Sequence, residues 1–173
     1  MTQKQKKIWI ELGKVLFATL ILVFLLRVFV FSTSIIEGKS MYPTLNSGER
    51  IVYNKIAYMN AEPNRGDIVI IKRPIRNYVK RIIGLPNETI EIRDQQLLIN
   101  NTIYHQSFIT TSQTFNTPDF GPVTIPEDSY FVMGDNRQLS IDSRNGLGVI
   151  ARDEIIGRSE FVIFPFSEWQ SLE

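Results

Sequence analysis

The sequence contains no cysteine and only one histidine among its 173 residues. The lack of cysteine excludes a disulfide-stapled fold, a thiol nucleophile and a cysteine-ligated zinc site. One histidine, His105, cannot supply a site with several histidine ligands, and no acidic cluster offers a carboxylate-only metal site. We therefore expect no metal ion and no cofactor. His105 remains open as the base of a Ser-His pair, although an exposed strand or turn histidine is the simpler interpretation.

A strong excess of charge of one sign is also missing. Nineteen lysines and arginines oppose eighteen aspartates and glutamates, which leaves a net charge of +1. This balance does not indicate a nucleic-acid partner. The sequence shows no internal repeat and no low-complexity tract, and its length suffices for one domain of ordinary size plus an appendage.

What the chain does have is a long apolar run close to a basic N-terminus. As a helix, residues 8–31 would span about 36 Å, enough to cross a hydrocarbon core of about 30 Å. The lysines within residues 1–7 place that end in the cytoplasm, so we predict a cytoplasmic tail followed by an uncleaved transmembrane signal anchor. A cleaved secretory signal peptide is the alternative. Both interpretations put residues from about 35 onward outside the cytoplasm.

After this run the pattern is that of short strands. Segments such as "RIVYNKIAY", "GDIVIIKR", "ETIEIRD" and "DSYFVMGD" are rich in branched and aromatic residues and are separated by Gly, Pro, Asn and Asp. Such spacing predicts a mainly β domain over residues 32–173. We expect a hairpin turning near Asp94 and Gln95, and a loop over residues 105–127, which are rich in Thr, Ser, Pro and Asn.

Three segments carry residues with candidate chemistry. In "NYVKRIIGL", Lys80 shares one strand face with Tyr78 and Ile82, and burial of that face would lower its pKa enough for it to accept a serine proton. A solvent-facing lysine is the structural alternative. "GKSMYPTLNSGER", which contains Ser40, has the composition of an ordinary turn. "GDNRQLSIDSRNG" has the composition of a salt-bridged turn.

Taken together and in this order, the segments resemble the type I signal peptidases, the membrane-bound leader peptidases with a Ser-Lys dyad, in their Gram-positive-like form with one anchor. The resemblance rests on "SMYPTL", "GDIVIIK", "YVKRIIGLP" and "GDNRQLSIDSR" after a signal anchor. It implies two antiparallel sheets forming a catalytic β core, with a smaller β excursion over residues 86–128, preceded by one N-terminal transmembrane helix.

The resemblance also implies a role for each matching residue. Ser40 would be the nucleophile and neutral Lys80 the general base, acting through an acyl-enzyme. The supporting residues would be Ser140, which orients the lysine, with Asp142, Arg144, Asp135 and Arg81. Gly38 stands where some relatives carry a serine that donates to the oxyanion, so the second donor is left open. Shallow substrate pockets would be lined by Ile36, Met41, Leu45, Ile51, Ile70, Tyr78 and Val79, which are equally good candidates for the β core.

The substrates implied are exported preproteins with small residues, as in Ala-x-Ala, just before the cut. The other implied partners are the phospholipid membrane and the secretion translocon, with the enzyme in the plasma membrane, its N-terminus cytoplasmic and its catalytic domain outside. A catalytically silent, membrane-anchored β domain that binds extended peptides is the main alternative. A self-cleaving Ser-Lys switch domain does not fit the anchor, and a β-lactamase-like enzyme does not fit because no lysine lies three residues after Ser40.

Overall fold

A computed structural model describes residues 2–109 and 117–172. The chain begins with helix α1, Gln3–Leu25, which continues as a π-helical turn, Leu26–Val30. Thr2 caps the helix because its hydroxyl accepts a hydrogen bond from the backbone N–H of Gln5. No side chain of the helix is buried, and by length and composition it is one candidate membrane span. An apolar helix without a covering surface is what a lipid-facing segment requires.

The described residues form twelve strands after the helix, and all the pairings are antiparallel. The strands are β1 (Phe31–Ile35), β2 (Arg50–Asn54), β3 (Ile68–Ile71), β4 (Tyr78–Gly84), β5 (Thr89–Arg93), β6 (Gln96–Ile99), β7 (Thr102–Ile103), β8 (Phe120–Thr124), β9 (Ser129–Met133), β10 (Ile150–Ala151), β11 (Ile155–Phe164) and β12 (Gln170–Ser171). Two short 3₁₀ turns, Arg152–Glu154 and Phe166–Glu168, precede and follow β11.

The larger sheet has the order β1-β2-β11-β3-β4-β9-β10, with β12 beside the end of β11. Its central strands β3 and β9 are buried at every position, because apolar clusters cover both faces of the sheet there. Strand β4 lies between β3 and β9 and is buried from Lys80 to Gly84. The centre of this sheet is therefore buried and closely packed.

The smaller sheet has the order β7-β6-β5-β8 and lies within the excursion predicted over residues 86–128. Asp94 and Gln95 have φ values of 50° and 65°, as a tight hairpin turn between β5 and β6 requires. Strand β8 lies inside the segment expected to be a loop, so that expectation is wrong for Phe120–Thr124 because pairing with β5 overrides the turn-like composition. Residues 110–116 of the same segment lie outside the described residues. The mainly β fold with two antiparallel sheets and one N-terminal helix is confirmed.

Candidate active site

The turn that carries Ser40 is closed by its own backbone. Ile36 N–H donates to Glu49 C=O at 2.8 Å, and Gly48 N–H donates back to Ile36 C=O at 2.9 Å. Met41 and Leu45 are buried beneath the turn, in the apolar cluster that lies between it and the larger sheet. These contacts fix the turn from below and leave Ser40 half-buried, with its hydroxyl facing β4. We call residues 36–49 the serine turn.

The side chain of Lys80 is buried rather than solvent-facing, with 2% of its surface exposed. Its Nζ lies 2.7 Å from Ser40 Oγ and also donates to the backbone carbonyl of Val79 at 3.0 Å. The two predicted reacting groups are thus within hydrogen-bond distance across 40 positions of sequence. This is the separation required for direct proton transfer between a nucleophile and its base.

Burial lowers the pKa of Lys80 from its ordinary value to about 8, and Arg76 shifts it in the same direction. Asp142 and Asp135 oppose this shift because their carboxylates favour the ammonium form. A lysine with a pKa near 8 is substantially neutral at mildly alkaline pH. It then has a free electron pair that can accept the serine proton.

A second segment holds the backbone of Ser40 in place. The N–H of Asn136 donates to the Ser40 carbonyl at 3.0 Å, and Gly134 packs so closely that a methyl carbon there would lie 2.3 Å from the same oxygen. That carbon would also lie 2.3 Å from Ser140 Oγ. Only glycine allows this approach, because real carbon–oxygen contacts are much longer. We call residues 134–145 the charged loop.

Two ion pairs hold the charged loop. Arg81 on β4 donates through Nε and Nη2 to both oxygens of Asp135, at 2.9 and 2.7 Å, and Arg144 binds Asp142 in the same two-pronged way at 2.9 and 2.8 Å. Both carboxylates are fully buried. Such pairs give a fixed geometry rather than a large net stability.

Asp142 remains ionised despite its burial. Desolvation alone would raise its pKa, but the hydrogen bonds and charge of Arg144 and the N–H of Gly134, which donates to Oδ2 at 3.0 Å, hold that pKa below its ordinary value. Its negative charge is one of the two that act on Lys80. The loop therefore connects the electrostatics of Lys80 to the position of Ser40.

Ser140, the predicted lysine-orienting residue, is buried beside Gly134. Its hydroxyl has no hydrogen-bond partner of ordinary geometry among the described residues. Lys80 donates instead to Ser40 and Val79. The hydroxyl nevertheless interacts with the Asp142 carboxylate and helps to hold the pKa of that carboxyl below its ordinary value. The lysine-orienting role stays a prediction.

The predicted substrate-binding residues divide into two groups. Ile36, Met41, Tyr78 and Val79 line a cleft of about 390 Å³ that contains Ser40 and Lys80. Leu45, Ile51 and Ile70 do not line it; each is fully buried in the apolar cluster below the serine turn. The exposed His105 does not line the cleft either.

The structure adds residues that the sequence interpretation did not name. Leu139 and Ile141 are exposed apolar side chains that line the same cleft from the charged loop. Arg76 lines it from the connection before β4, with its guanidinium 4.8 Å from the centre of the Tyr78 ring. In the sequence, the apolar Leu139 and Ile141 alternate with polar residues, and this alternation could have indicated that the two apolar side chains share one face. No feature of the sequence could have indicated that Arg76 lines the cleft, because an arginine in a hairpin loop is ordinarily solvated.

The Gly38 backbone has a φ of 85° and carries its N–H toward Ser47 Oγ, at 3.3 Å. A side chain at this position would meet open space, so glycine is favoured by its backbone conformation rather than by crowding. The Ser40 N–H has no acceptor among the described residues and is free to donate into the cleft. Within residues 2–109 and 117–172 there is no group of three or more metal-ligating side chains.

Comparisons with known proteins show the family of this chain. The family model described as "Signal peptidase, peptidase S26" matches residues 9–164 of the sequence. The chain belongs to this family. As a member it is a peptidase, a hydrolase, which confirms the predicted enzyme class.

The sequences of several Bacillus proteins are similar to this family member along almost their whole length. Signal peptidase I T of Bacillus subtilis strain 168 is 45% identical, over 96% of this chain and 91% of the relative. Signal peptidase I P of Bacillus subtilis subsp. natto is 44% identical, over 95% and 93%. A crystal structure of a signal peptidase I from Enterococcus faecalis V583 is 33% identical, with a TM-score of 0.48, over 56% of this chain and 96% of that one.

Proposed function

We propose that this peptidase is a membrane-anchored serine endopeptidase that removes signal peptides from exported preproteins. Ser40 is the nucleophile and neutral Lys80 the general base. The observation that carries the proposal is the 2.7 Å contact between Ser40 Oγ and a lysine amine that is 2% exposed. Family membership supplies the signal-peptide substrate, and the apolar helix α1 supplies the anchor.

The first half of the reaction forms an acyl-enzyme. Neutral Lys80 takes the hydroxyl proton while Ser40 Oγ attacks the scissile carbonyl carbon, which becomes tetrahedral with a negative oxygen. The N–H of Ser40 would donate to that oxyanion. The intermediate collapses as the Lys80 ammonium gives its proton to the leaving amine, so the mature protein departs with a neutral N-terminus.

The second half restores the enzyme. Lys80 is neutral again and takes a proton from water, whose oxygen attacks the ester carbonyl; Ser40 Oγ leaves and recovers the proton from Lys80. The charged loop keeps these two groups aligned because Asn136 and Gly134 contact the Ser40 backbone. Ser140 would assist by accepting a hydrogen bond from the Lys80 ammonium when that side chain rotates toward it.

The cleft suggests which residues precede the cut. Met41, Tyr78 and Val79 line the cleft beside Ser40, and small side chains such as alanine would occupy it next to the scissile bond. A preprotein would lie extended along the cleft, in the manner of peptides that add to a sheet edge. A catalytically silent peptide-binding domain, the alternative considered from the sequence, is not favoured, because the chain belongs to a peptidase family.

The decisive experiment compares four full-length proteins in detergent or lipid, on a preprotein whose signal peptide ends in Ala-x-Ala. Wild type should cleave with a kcat/KM that rises about tenfold per pH unit below the Lys80 pKa of about 8 and then levels off. Ser40→Ala should be inactive. Lys80→Ala should lose about 10²–10⁴-fold, the typical contribution of a general base.

Lys80→Arg sharpens the test because arginine keeps the positive charge but cannot give up its proton. It should be as inactive as Lys80→Ala, whereas Ser107→Ala, an exposed serine away from the cleft, should retain wild-type activity. Activity that survives in Lys80→Arg would overturn the neutral-lysine mechanism. A wild-type protein that leaves this preprotein intact would overturn the proposed substrate.

A further inference from the structure

Strand β4 has an unpaired edge beside the two reacting groups. On one side, residues 78–80 pair with β3. On the other side, the pairing with β9 begins only at Arg81, so no strand in the part of the chain that the structure describes pairs with residues 78–80 there. Residues 76–80 line the cleft. An extended peptide in the cleft would therefore lie alongside the residues that lead up to Lys80.

Arg76 places a positive charge close to the reacting groups. Its guanidinium carbon lies 4.8 Å from the centre of the Tyr78 ring, and Lys80 Nζ lies 5.8 Å from the same point. By the sum of these two distances, the guanidinium is at most about 11 Å from the Lys80 amine. An extended peptide rises about 3.3 Å per residue, so Arg76 lies beside a substrate residue within about four positions of the scissile bond.

The Arg76 guanidinium has no carboxylate partner of its own. Within residues 2–109 and 117–172, no acidic side chain lies within ion-pair distance of it. By contrast, Arg73 of the same loop is matched by the Glu154 carboxylate. Contact with the Tyr78 ring leaves N–H groups of the exposed Arg76 guanidinium available to bind a carboxylate from outside the chain.

The other charged residues that line the cleft do not offset the charge of Arg76. Glu37 and Lys39 are both exposed on the serine turn and have opposite signs. Lys80 is buried, and it is neutral in the form that would accept the serine proton. With neutral Lys80, the charged side chains lining the cleft therefore sum to one positive charge, which favours an acidic side chain on the bound peptide.

We propose that Arg76 is a specificity-determining residue that binds an acidic side chain of the preprotein within about four residues of the scissile bond. The proposal rests on the signal-peptide cleavage in the proposed function. Arginine binds a carboxylate through two parallel N–H···O bonds, which are stronger than the bonds that a neutral amide side chain accepts. Because the guanidinium is exposed, we expect such a pair to favour the acidic substrate by up to about fivefold.

The test uses the full-length protein in detergent and a preprotein whose signal peptide ends in Ala-x-Ala. Glutamate or glutamine is placed, one position at a time, at each residue within four of the cut other than the two alanines. At the position that faces Arg76, we expect kcat/KM for the glutamate substrate to exceed that for the glutamine substrate by about three- to fivefold. High salt should reduce this ratio toward one, because it screens an exposed ion pair.

Three variants assign the ratio to one side chain. Arg76→Gln should bring the glutamate-to-glutamine ratio to about one, and Arg76→Glu should invert it, with a lysine substrate then cleaved faster than the glutamate one. Both substrates meet the same Lys80, so the ratio is independent of any change in the pKa of that lysine. Lys72→Gln is the matched control and should keep the wild-type ratio, because Lys72 is an exposed cation of the same loop that does not line the cleft.

Cleavage of the glutamine substrates separates this proposal from the proposed function. If wild type cleaves them but shows a ratio near one at every position, the role of Arg76 is overturned while signal-peptide cleavage stands. An unchanged ratio in Arg76→Gln would overturn it as well, and a ratio lost in Lys39→Gln but kept in Arg76→Gln would assign the acidic side chain to Lys39 instead. A wild-type protein that leaves every glutamine substrate intact would overturn the proposed function and this proposal with it.

Discussion

The serine turn and the charged loop are built from similar residues but held by opposite physical means. Both are rich in Gly, Ser and Asn, and both would pass for surface turns. The serine turn is closed by backbone hydrogen bonds and rests on the apolar side chains of Met41 and Leu45. The charged loop rests on ion pairs, with Asp135 and Asp142 fully buried.

The two segments therefore have different roles: the serine turn carries the Ser40 hydroxyl, and the charged loop holds the Ser40 backbone in place. The serine turn presents its hydroxyl to the cleft and depends on apolar packing, whose strength does not change with the protonation of carboxylates. The charged loop depends on groups that must stay ionised while buried. The site should therefore respond to pH in two ways, through Lys80 on β4, the proposed base, and through the ion pairs that hold the loop.

The largest expected effect comes from removing one buried charge of the loop. Asp142→Asn leaves the nearly buried Arg144 without its partner, and we expect a loss of about 3–5 kcal/mol in the free energy of unfolding. Thermal or denaturant unfolding of the full chain in detergent measures it. A loss below about 1 kcal/mol would show that solvent reaches the pair and that the loop is not held by charge.

The matched change in the serine turn is Leu45→Ala, which removes a fully buried side chain. We expect a loss of about 2–5 kcal/mol from the cavity and the missing contacts. The two variants should differ in pH dependence. The folded-state pKa of Asp142 is depressed, so its contribution is present above the unfolded value of about 3.9 and is lost as pH falls below it.

The free energy of unfolding, measured as a function of pH from neutral to acid, therefore distinguishes the two segments. Wild type and Leu45→Ala should both lose stability on acidification through this carboxylate, whereas Asp142→Asn should follow a flatter curve. Parallel curves for all three proteins would show that the ionisation of Asp142 contributes nothing to folding.

A smaller effect, on catalysis, is expected where the two segments touch. Gly134→Ala places a methyl group 2.3 Å from the Ser40 carbonyl, so one segment must move. A displacement of about 1 Å at the nucleophile lowers kcat by roughly 100-fold, with less change in KM. Steady-state kinetics on the same preprotein measures both constants.

Gly148→Ala is the control for this substitution. Gly148 also has a positive φ, 66°, but a methyl group there meets open space. Gly148→Ala should lower the free energy of unfolding through backbone strain and leave kcat near the wild-type value. Equal losses of kcat in the two variants would show that strain, and not the contact with Ser40, causes the effect.

The smallest effect concerns the tuning of the base. Arg76 lowers the pKa of Lys80, so Arg76→Gln should move the acid limb of the kcat/KM profile to higher pH. Because the Arg76 guanidinium is exposed and screened, we expect a shift of roughly a few tenths of a pH unit. A shift to lower pH would reverse the sign of this electrostatic contribution.

Much of the fold was predictable because its signals are local. Alternating branched residues and turn formers gave the strands, and the apolar run gave the helix. The expectation of a loop over Phe120–Thr124 was wrong because pairing with β5, a contact across about thirty residues, decided that strand. Turn composition carries no information about such a partner.

The sequence by itself determined the mainly β class and the lack of a thiol nucleophile, because these follow from composition and from the spacing of strand and turn residues along the chain. Only the tertiary structure decided that the Lys80 amine is buried and 2.7 Å from Ser40, that Gly134 touches the Ser40 backbone, and that Leu45, Ile51 and Ile70 lie beneath the cleft rather than in it. The physical reason is that burial, and with it the pKa of an amine, depends on what the rest of the chain packs around it.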